Sequence, residues 1–218
     1  MKLGTLASGQ ASDMVRQESL PILDFPTESA SLLQRRDREL EDSRPDTAIP
    51  HVVAWNITRR CNLECSHCYI SAGSWQSAES ELSTEECHRV LDDVLAVNPS
   101  VLLILSGGEP LVRDDLEEIA EHAASAGATV VVGTNGTGLS KQRIESLKEA
   151  GVKGVAVSID SLRQTYHDRF RHGSGSLSAT LDAVTRLGEQ GLDFIVQTSL
   201  TKGNRSELTD LVGWAAEE

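Results

Sequence analysis

Three cysteines lie close together, at Cys61, Cys65 and Cys68, with the spacing C-x3-C-x2-C. A cubane [4Fe–4S] cluster is normally held by four thiolates. Three closely spaced thiolates would therefore bind three irons and leave the fourth iron open to a small molecule. An open metal position indicates a reactive site, as the contrast between catalytic and structural zinc centres shows.

A zinc site is the alternative for the same residues. The spacing of Cys65 and Cys68 also occurs in zinc sites, and His67 or Cys61 could add a further ligand. A tetrahedral zinc site usually takes two more ligands from a distant second pair, whereas the only other cysteine is Cys87. The residues favour iron–sulfur over zinc and leave zinc open. For Cys87, which lies among apolar residues, we expect a small buried thiol.

Composition limits the classes of partner. The formal net charge of −13 argues against nucleic acid, because phosphate contacts come from Lys and Arg patches. No apolar run approaches the roughly 20 residues of a membrane span, and we expect no membrane contact. Four cysteines are few for a disulfide framework, and no signal peptide is recognisable. We therefore expect free thiols in a reducing cytoplasm.

The composition of the chain changes near Pro50. The early stretches of residues 1–50 are rich in Ser, Gln and Gly, and prolines interrupt the region, so we predict a largely irregular N-terminal extension with a short helix over residues 31–40. Residues 51–218 are more regular and are predicted to form the functional core. The whole chain is long enough for one domain with a proper hydrophobic core and an appendage.

Apolar, β-branched runs alternate with helical patterns in the core. The predicted strands are Val52–Ile57, Val101–Leu105, Thr129–Val132, Gly154–Ile159 and Phe194–Leu200. Ser83 and Glu86 form a capping box that opens the first helix. Five βα units with nearly continuous apolar strands predict an α/β fold with a parallel sheet. Periodicity alone leaves a doubly wound sheet and a complete or partial barrel open.

Unusual residues follow the predicted strands. The cysteine loop follows the first strand, and the later strand ends bear Ser106–Pro110, Thr134–Gly136, Ser158–Asp160 and Gln197–Thr198. Each segment alone is also a common turn sequence. Because ligands of parallel α/β folds bind beyond the carboxyl ends of the strands, we predict that these segments form one site.

This combination resembles the radical S-adenosylmethionine (radical SAM) superfamily. The family cluster motif has an aromatic residue before its last cysteine; His67 stands there in this chain, and Tyr69 follows the last cysteine. A Gly-Gly-Glu-Pro motif matches Gly107–Pro110, and Ser158–Asp160 and His167–Arg171 also look like the family. The resemblance covers residues 51 to about 212. It implies a TIM-like (β/α) barrel of parallel strands, here partial.

The resemblance also implies the cofactors, a [4Fe–4S] cluster and S-adenosylmethionine (SAM). The cluster ligands would be Cys61, Cys65 and Cys68. The SAM-binding residues would be Tyr69, Gly107, Gly108, Glu109, Asn135, Ser158 and Arg171. Among these, the Gly-Gly-Glu loop would accept hydrogen bonds from the SAM amino group. Arg171 would bind the SAM carboxylate, to which a planar guanidinium is suited.

The implied reaction is reductive cleavage of SAM to methionine and a 5′-deoxyadenosyl radical, which abstracts hydrogen from a substrate. A flavodoxin or ferredoxin would supply the electron, and the substrate would be a small molecule or a peptide. Enzymes of tetrapyrrole (haem d1) biosynthesis look most similar, and peptide- and protein-modifying maturases of the SPASM type are an alternative. A truncated, non-catalytic metal-binding protein is a further alternative.

The chain departs from the family in its length. Family barrels usually contain six βα units, whereas this chain stops at Glu218 in the fifth helix. SPASM-type relatives continue into a region whose cysteines hold auxiliary clusters, and no cysteine follows Cys87 here. We therefore expect a fragment rather than a reduced form completed by a partner. We also expect an open sheet edge that favours association.

Overall fold

The computed structural model describes residues 49–217. The strands are β1 (Val52–Thr58), β2 (Leu102–Gly107), β3 (Thr129–Thr134), β4 (Gly154–Ser158) and β5 (Asp193–Gln197). The helices are α1 (Thr84–Val97), α2 (Leu116–Ser125), α3 (Lys141–Glu149), α4 (Gln164–Arg171), α5 (Ser176–Gln190) and α6 (Leu208–Glu217). The predicted N-terminal extension and its short helix lie outside the described residues.

The strands form one parallel sheet in the order β1-β2-β3-β4-β5. A doubly wound sheet reverses its strand order at a switch point, whereas here each strand lies beside the preceding one. The topology therefore decides between the two predicted alternatives. The prediction of a partial barrel with five βα units is confirmed.

Helices α1, α2, α3 and α5 bury apolar stripes. In α1 the buried residues are Cys87, Leu91 and Leu95, and Cys87 is fully buried, as predicted. The later helices α2, α3 and α5 bury Leu116, Ile119, Ala120, Ala123, Ile144, Leu147, Ala183, Val184 and Leu187. These side chains meet the apolar residues of the central strands in one core, which fixes the strand ends.

Local signals set several helix boundaries. The Ser83 hydroxyl accepts from the Glu86 amide and the Glu86 carboxylate accepts from the Ser83 amide, so the predicted capping box is confirmed. Gly191, after α5, lies in the left-handed region with φ of 61°. An L side chain is strained in that conformation, which explains the helix stop.

Helix α4 is not predicted by the sequence pattern. Its residues are mostly polar, and the side chains that it buries are His167 and Arg171 instead of aliphatic groups. A search for an apolar stripe therefore finds no helix. The predicted fifth strand was also too long, because β5 ends at Gln197 and residues 198–200 form a loop.

Exposed apolar residues occur along the outer parts of the sheet and on the last helix. Leu211 of α6 is buried, but Leu208 and Val212 are exposed. On the edge strands, Val52 of β1 is 56% exposed and Ile195 of β5 is 59% exposed. In the part of the chain that the structure describes, no helix is long and apolar enough to span a membrane.

Candidate functional site

A cavity of about 250 Å³ opens at the carboxyl end of the sheet. All five strand ends or their following loops contribute to its lining, as the sequence predicts. Nine predicted site residues line it: Cys61, Cys65, Cys68, Tyr69, Gly107, Gly108, Asn135, Ser158 and Arg171. The tenth, Glu109, lies behind the lining. The fold thus brings together residues that are up to 110 positions apart in the chain.

The cysteine loop leaves β1 and folds back on itself. The Cys61 amide donates to the Gly73 carbonyl at 3.3 Å, and the Cys68 amide donates to the Cys65 carbonyl at 3.1 Å. Two sulfurs also accept backbone hydrogen bonds: Cys61 Sγ from Leu63 N at 3.4 Å and Cys68 Sγ from Ala72 N at 3.2 Å. Such bonds to sulfur tune iron–sulfur clusters, so the donor set fits one.

Burial affects the ionisation of the thiols. It raises the pKa of Cys61 to about 11, partly offset by the Leu63 amide. It also raises the pKa of Cys65, although the nearby Arg171 guanidinium opposes this rise. A coordinating metal deprotonates its thiol ligands outright, so metal binding here would release protons.

The arrangement of the cysteines also bears on the zinc alternative. Within residues 49–217, no group of three or more His, Cys, Asp or Glu side chains is arranged to hold one metal ion. Zinc–sulfur bonds of 2.3 Å would bring the sulfurs to within about 4 Å of one another. A four-iron cluster spaces its thiolates more widely, because each thiolate binds a different iron. The absence of such a group within residues 49–217 therefore argues against a site for a single metal ion and not against a four-iron cluster.

The two glycines after β2 pass against the backbone that leads into the cysteine loop. Gly107 has φ of 144°, and a Cβ there would lie 2.4 Å from the Thr58 carbonyl oxygen. A Cβ on Gly108 would lie 2.2 Å from the Arg60 carbonyl oxygen. The family resemblance implies that these glycines bind SAM, and a glycine lets a backbone approach a ligand closely. The structure adds that they are needed for close approach to this chain's own backbone.

Glu109 points away from the cavity and is 1% exposed. Its Oε1 accepts from Thr134 Oγ1 at 2.7 Å and from the Leu111 amide at 3.1 Å, and its Oε2 accepts from the Asn135 amide at 2.8 Å. Burial raises the pKa of Glu109, and these hydrogen bonds oppose the rise. The carboxylate therefore joins the loops that follow β2 and β3.

Asn135 links the β3 loop to the cysteine loop. Its Nδ2 donates to Asn62 Oδ1 at 2.8 Å, and Asn62 Nδ2 donates to Thr137 Oγ1 at 2.8 Å. Asn135 Oδ1 accepts hydrogen bonds from the amide and the hydroxyl of Thr137. Because Asn62 directly follows Cys61, these bonds set the path of the cysteine loop.

Arg171 is buried at the end of α4 and lines the cavity. Its Nε donates to Asp160 Oδ2 at 2.8 Å. Neither terminal nitrogen donates a hydrogen bond to any residue within 49–217, and neither is sealed from solvent. A planar guanidinium with two unused nitrogens facing a cavity suits a carboxylate.

Ser158 and Tyr69 lie at different depths. Ser158 is the last residue of β4, beside Gln197 of β5, and its half-buried side chain lines the cavity. Tyr69 lies at the rim and is 83% exposed. Its hydroxyl exchanges hydrogen bonds with the Asn56 amide group at 2.9 and 3.2 Å. Both predicted residues thus border the cavity.

Helix α4 contacts the cysteine loop directly. The rings of His67 and Phe170 are stacked, with centroids 4.4 Å apart and planes within 5°. The Ser66 amide donates to the Phe170 carbonyl at 2.9 Å, and Ser66 Oγ lies 2.9 Å from His172 Nε2. The sequence alone does not indicate these contacts, because they join parts of the chain that show no shared pattern.

A buried arginine below the cysteine loop is a further feature that the sequence alone does not indicate. Arg113 donates to the Ile57 carbonyl at 2.9 Å and to the Leu82 carbonyl at 3.1 Å, and it pairs with Asp115. Glu81 bridges Arg113 to Arg60, whose Nη2 lies 3.1 Å from Glu81 Oε2. This network fixes the end of β1 before the first cysteine. A single arginine in the sequence gives no signal of it.

Comparison with known families agrees with this geometry. The profile of the Radical SAM superfamily matches residues 55–215, which include the cysteine loop and all the other cavity residues. The chain belongs to the Radical SAM superfamily. Proteins of this superfamily use a [4Fe–4S] cluster and SAM.

Curated relatives of the radical SAM chain have two kinds of name. The chain is 39% identical to an AdoMet-dependent heme synthase of Methanosarcina barkeri, over 78% of this chain and 48% of that protein. It is 35% identical to the pre-heme d1 synthase of Dinoroseobacter shibae, over 77% and 41%. It is 31% identical to the subtilosin biosynthesis protein AlbA of Bacillus subtilis, over 75% and 36%. The chain spans about half the length of the curated relatives it matches, or less.

Solved structures share the fold of the radical SAM chain. Streptococcus suis SuiB bound to S-adenosylmethionine matches with a TM-score of 0.68 at 16% identity, over 91% of this chain and 45% of that chain. The native protein anSMEcpe with bound AdoMet matches with a TM-score of 0.62 at 18% identity, over 76% and 48%. At these identities the likeness shows the fold alone.

Proposed function

We propose that this chain forms the SAM-cleaving core of a radical SAM enzyme. The observation that supports the proposal most is one cavity shared by three cysteine thiols, the Gly107–Gly108 backbone and the guanidinium of Arg171. Cluster ligands and a carboxylate-binding group are both required at the same place if SAM is to bind at an open iron.

Each group of residues has a separate task in this proposal. The three thiols hold three corners of the cluster, and the Gly107–Gly108 backbone receives the amino end of SAM. Arg171 and Ser158 hold its carboxylate, through charge and a hydroxyl. When bound and reduced, the cluster supplies one electron that cleaves SAM to methionine and a 5′-deoxyadenosyl radical, which takes hydrogen from the substrate. The protein supplies position and exclusion of water.

A tetrapyrrole is the proposed substrate. Relatives named AdoMet-dependent heme synthase, Fe-coproporphyrin III synthase and pre-heme d1 synthase support it, with identities of 39%, 39% and 35%. A peptide is the second candidate. It is favoured by AlbA, which is 31% identical, and by the sporulation killing factor maturation protein SkfB of Bacillus subtilis, which is 30% identical.

The electron donor and the location are part of the proposal. A reduced flavodoxin or ferredoxin would pass the electron to the cluster. The reducing cytoplasm suits the free cysteines and a cluster built on them. The proposal includes no nucleic-acid partner, because of the acidic charge of the chain.

The first test is anaerobic reconstitution with iron and sulfide, reduction by dithionite, and EPR with and without SAM. We expect a [4Fe–4S]⁺ signal that changes shape when SAM is added, and methionine with 5′-deoxyadenosine as products. A cluster signal that ignores SAM, or a protein that takes up zinc alone, would overturn the proposed function in favour of a non-catalytic metal-binding protein.

The substrate is tested separately. The reconstituted protein is incubated with SAM and, in turn, with iron-coproporphyrin III, a modified sirohaem and a precursor peptide. We expect a tetrapyrrole to raise the rate of 5′-deoxyadenosine formation over the rate without substrate. Stimulation by the peptide alone would move the assignment to a maturase, and stimulation by none would contradict both candidates for this chain.

A further inference from the structure

Asp160 is a buried carboxylate for which the proposed mechanism has no use. It follows β4 and is 1% exposed. Oδ2 accepts from Arg171 Nε at 2.8 Å, and Oδ1 accepts from the Ser199 amide at 2.9 Å. Each oxygen therefore receives a hydrogen bond from a residue that lines the cavity. Buried carboxylates are rarely found without such a pairing.

The backbone of Asp160 is held as firmly as its side chain. Its amide donates to His167 Nδ1 at 3.3 Å, and its carbonyl accepts from Asn204 Nδ2 at 2.7 Å. Asn204 also donates to the Ser199 carbonyl at 3.0 Å. Asp160 is thus bonded to α4, to the loop after β5 and to the segment before α6. Its carboxylate has little freedom to move.

This arrangement decides which nitrogens of Arg171 are available. A guanidinium has three nitrogens in one plane, and the fork of its donors is rigid. Since Asp160 holds Nε, the two terminal nitrogens are left for the cavity. The negative charge of Asp160 also offsets the cost of burying the cation before any ligand binds.

We propose that Asp160 is a positioning residue that orients Arg171 toward the carboxylate of SAM. The proposal rests on the proposed function, in which Arg171 binds that carboxylate. It adds a residue that contacts neither the cluster nor SAM and acts through Arg171 alone. The hydrogen bond from the Ser199 amide to Asp160 also holds the loop after β5 in place.

His167 supports the arrangement from the other side of Asp160. Its ring is fully buried, and its Nδ1 accepts from the Asp160 amide, so the proton of the neutral ring lies on Nε2. Nε2 has no hydrogen-bond partner within residues 49–217. Burial and the nearby Arg171 lower the pKa of His167 to about 4. Because the ring is neutral, it does not compete with Arg171 for the negative charge of Asp160.

The test is a mutant cycle between Asp160→Asn and Arg171→Gln. An asparagine has one oxygen and one amide group, so it cannot accept from both Arg171 and Ser199. The SAM dissociation constant is measured on the oxidised cluster by equilibrium dialysis, together with iron and sulfide content. We expect Asp160→Asn to weaken SAM binding about tenfold, with three irons or more retained per chain.

Coupling separates positioning from a general structural effect. If Asp160 acts through Arg171, the double variant binds SAM as weakly as Arg171→Gln alone. A SAM affinity unchanged by Asp160→Asn, or a further loss in the double variant, would overturn the proposal. If the Asp160→Asn variant fails to hold iron, the double variant is compared with Arg171→Gln instead, because no buried charge is unpaired in the double variant. A folded double variant with the same SAM affinity as Arg171→Gln supports the coupling.

A matched control is an Asp–Arg pair in α5. Asp182→Asn makes the same change in a carboxylate that lies 4.0 Å from Arg186 Nη2, and neither residue lines the cavity. We expect its SAM affinity to equal that of the wild type. If the reconstituted wild type itself binds no SAM, the proposed function fails. If the wild type binds SAM and Asp160→Asn binds it equally well, only the role of Asp160 fails.

Discussion

At the scale of single residues, Glu109 shows how a motif residue can act indirectly. The family resemblance implies that its loop would accept hydrogen bonds from SAM. In the structure its carboxylate is directed into the protein and joins Thr134, Asn135 and Leu111. Asn135 in turn holds Asn62, next to the first cysteine. Glu109 is therefore linked to the cluster site through two intervening residues, Asn135 and Asn62.

Glu109→Gln tests this link. A glutamine would present an amide group to at least one of the three donors, so a buried hydrogen bond would be lost. We expect the free energy of unfolding to fall by about 1–3 kcal/mol and the iron content after reconstitution to fall with it. Urea denaturation and iron analysis measure both. The exposed Glu118→Gln is the control; equal effects of the two variants would contradict the prediction.

His167 predicts a dependence of stability on pH. Its pKa in the folded protein is about 4, below the ordinary value near 6.5. Between these values the unfolded chain binds more protons, so this residue makes stability fall as the pH decreases from about 6.5 to 4. Above pH 6.5 its contribution is constant.

The measurement is urea denaturation of the cluster-free protein across pH 4 to 8. We expect His167→Gln to remove part of the decrease below pH 6.5, by up to about 1.4 kcal/mol per pH unit. His51→Gln, at an exposed position, is the control and should keep the wild-type slope. A His167→Gln slope identical to that of the wild type would show that the histidine is not held neutral.

At the scale of elements, the β2 loop and the end of β1 are fitted to each other. The Gly108 amide donates to the Thr58 carbonyl at 2.8 Å, and the Glu109 amide donates to the Arg60 carbonyl at 2.9 Å. These bonds continue the pairing of β1 and β2 up to Cys61. The position of the cysteine loop thus depends on how closely two backbones approach.

Gly108→Ala tests the close approach. The new Cβ would be 2.2 Å from a backbone oxygen, which a side-chain rotation cannot relieve. We expect a loss of more than about 2 kcal/mol in the free energy of unfolding and poor cluster uptake. Gly188→Ala in α5, where no atom lies within 4 Å of the new Cβ, should be neutral or slightly stabilising. Two variants of equal stability would disprove this account.

At the scale of the whole molecule, the sheet has two outer strands within residues 49–217. β1 and β5 each pair on one side with a described strand, and both have exposed residues along their length. Unpaired strand edges are templates for association between chains. Exposed Ile195 on β5 adds apolar surface beside such an edge.

Ile195→Lys should reduce association of this chain. A charge on an edge strand disfavours pairing with another copy. We expect the weight-average mass from light scattering to increase with concentration for the wild type, and to increase less for the variant. Val97→Lys, an equal change at an exposed position at the end of α1, serves as control. If Val97→Lys reduces association as much as Ile195→Lys does, the effect comes from net charge alone and the prediction is wrong.

Local spacing in the sequence was sufficient for several features. The cysteine positions, the capping box and the alternation of strands and helices are short-range patterns, and each follows from a rule that involves neighbouring residues. The Gly-Gly-Glu-Pro segment could be placed at a strand end for the same reason. The family resemblance, which rests on these motifs, implied ten site residues, and nine of them line one cavity.

Only the tertiary structure decided what the polar side chains contact. Glu109, Asp160 and Arg113 each have a partner that is distant in the chain, 25, 39 and 56 residues away. No local pattern distinguishes a carboxylate that faces a cavity from one that faces the core, and α4 has no apolar stripe that reveals it. The sequence by itself determined which groups meet at the site. The packing of distant segments determined which of them face the cavity and which hold the others in place, because burial and hydrogen bonding depend on neighbours in space.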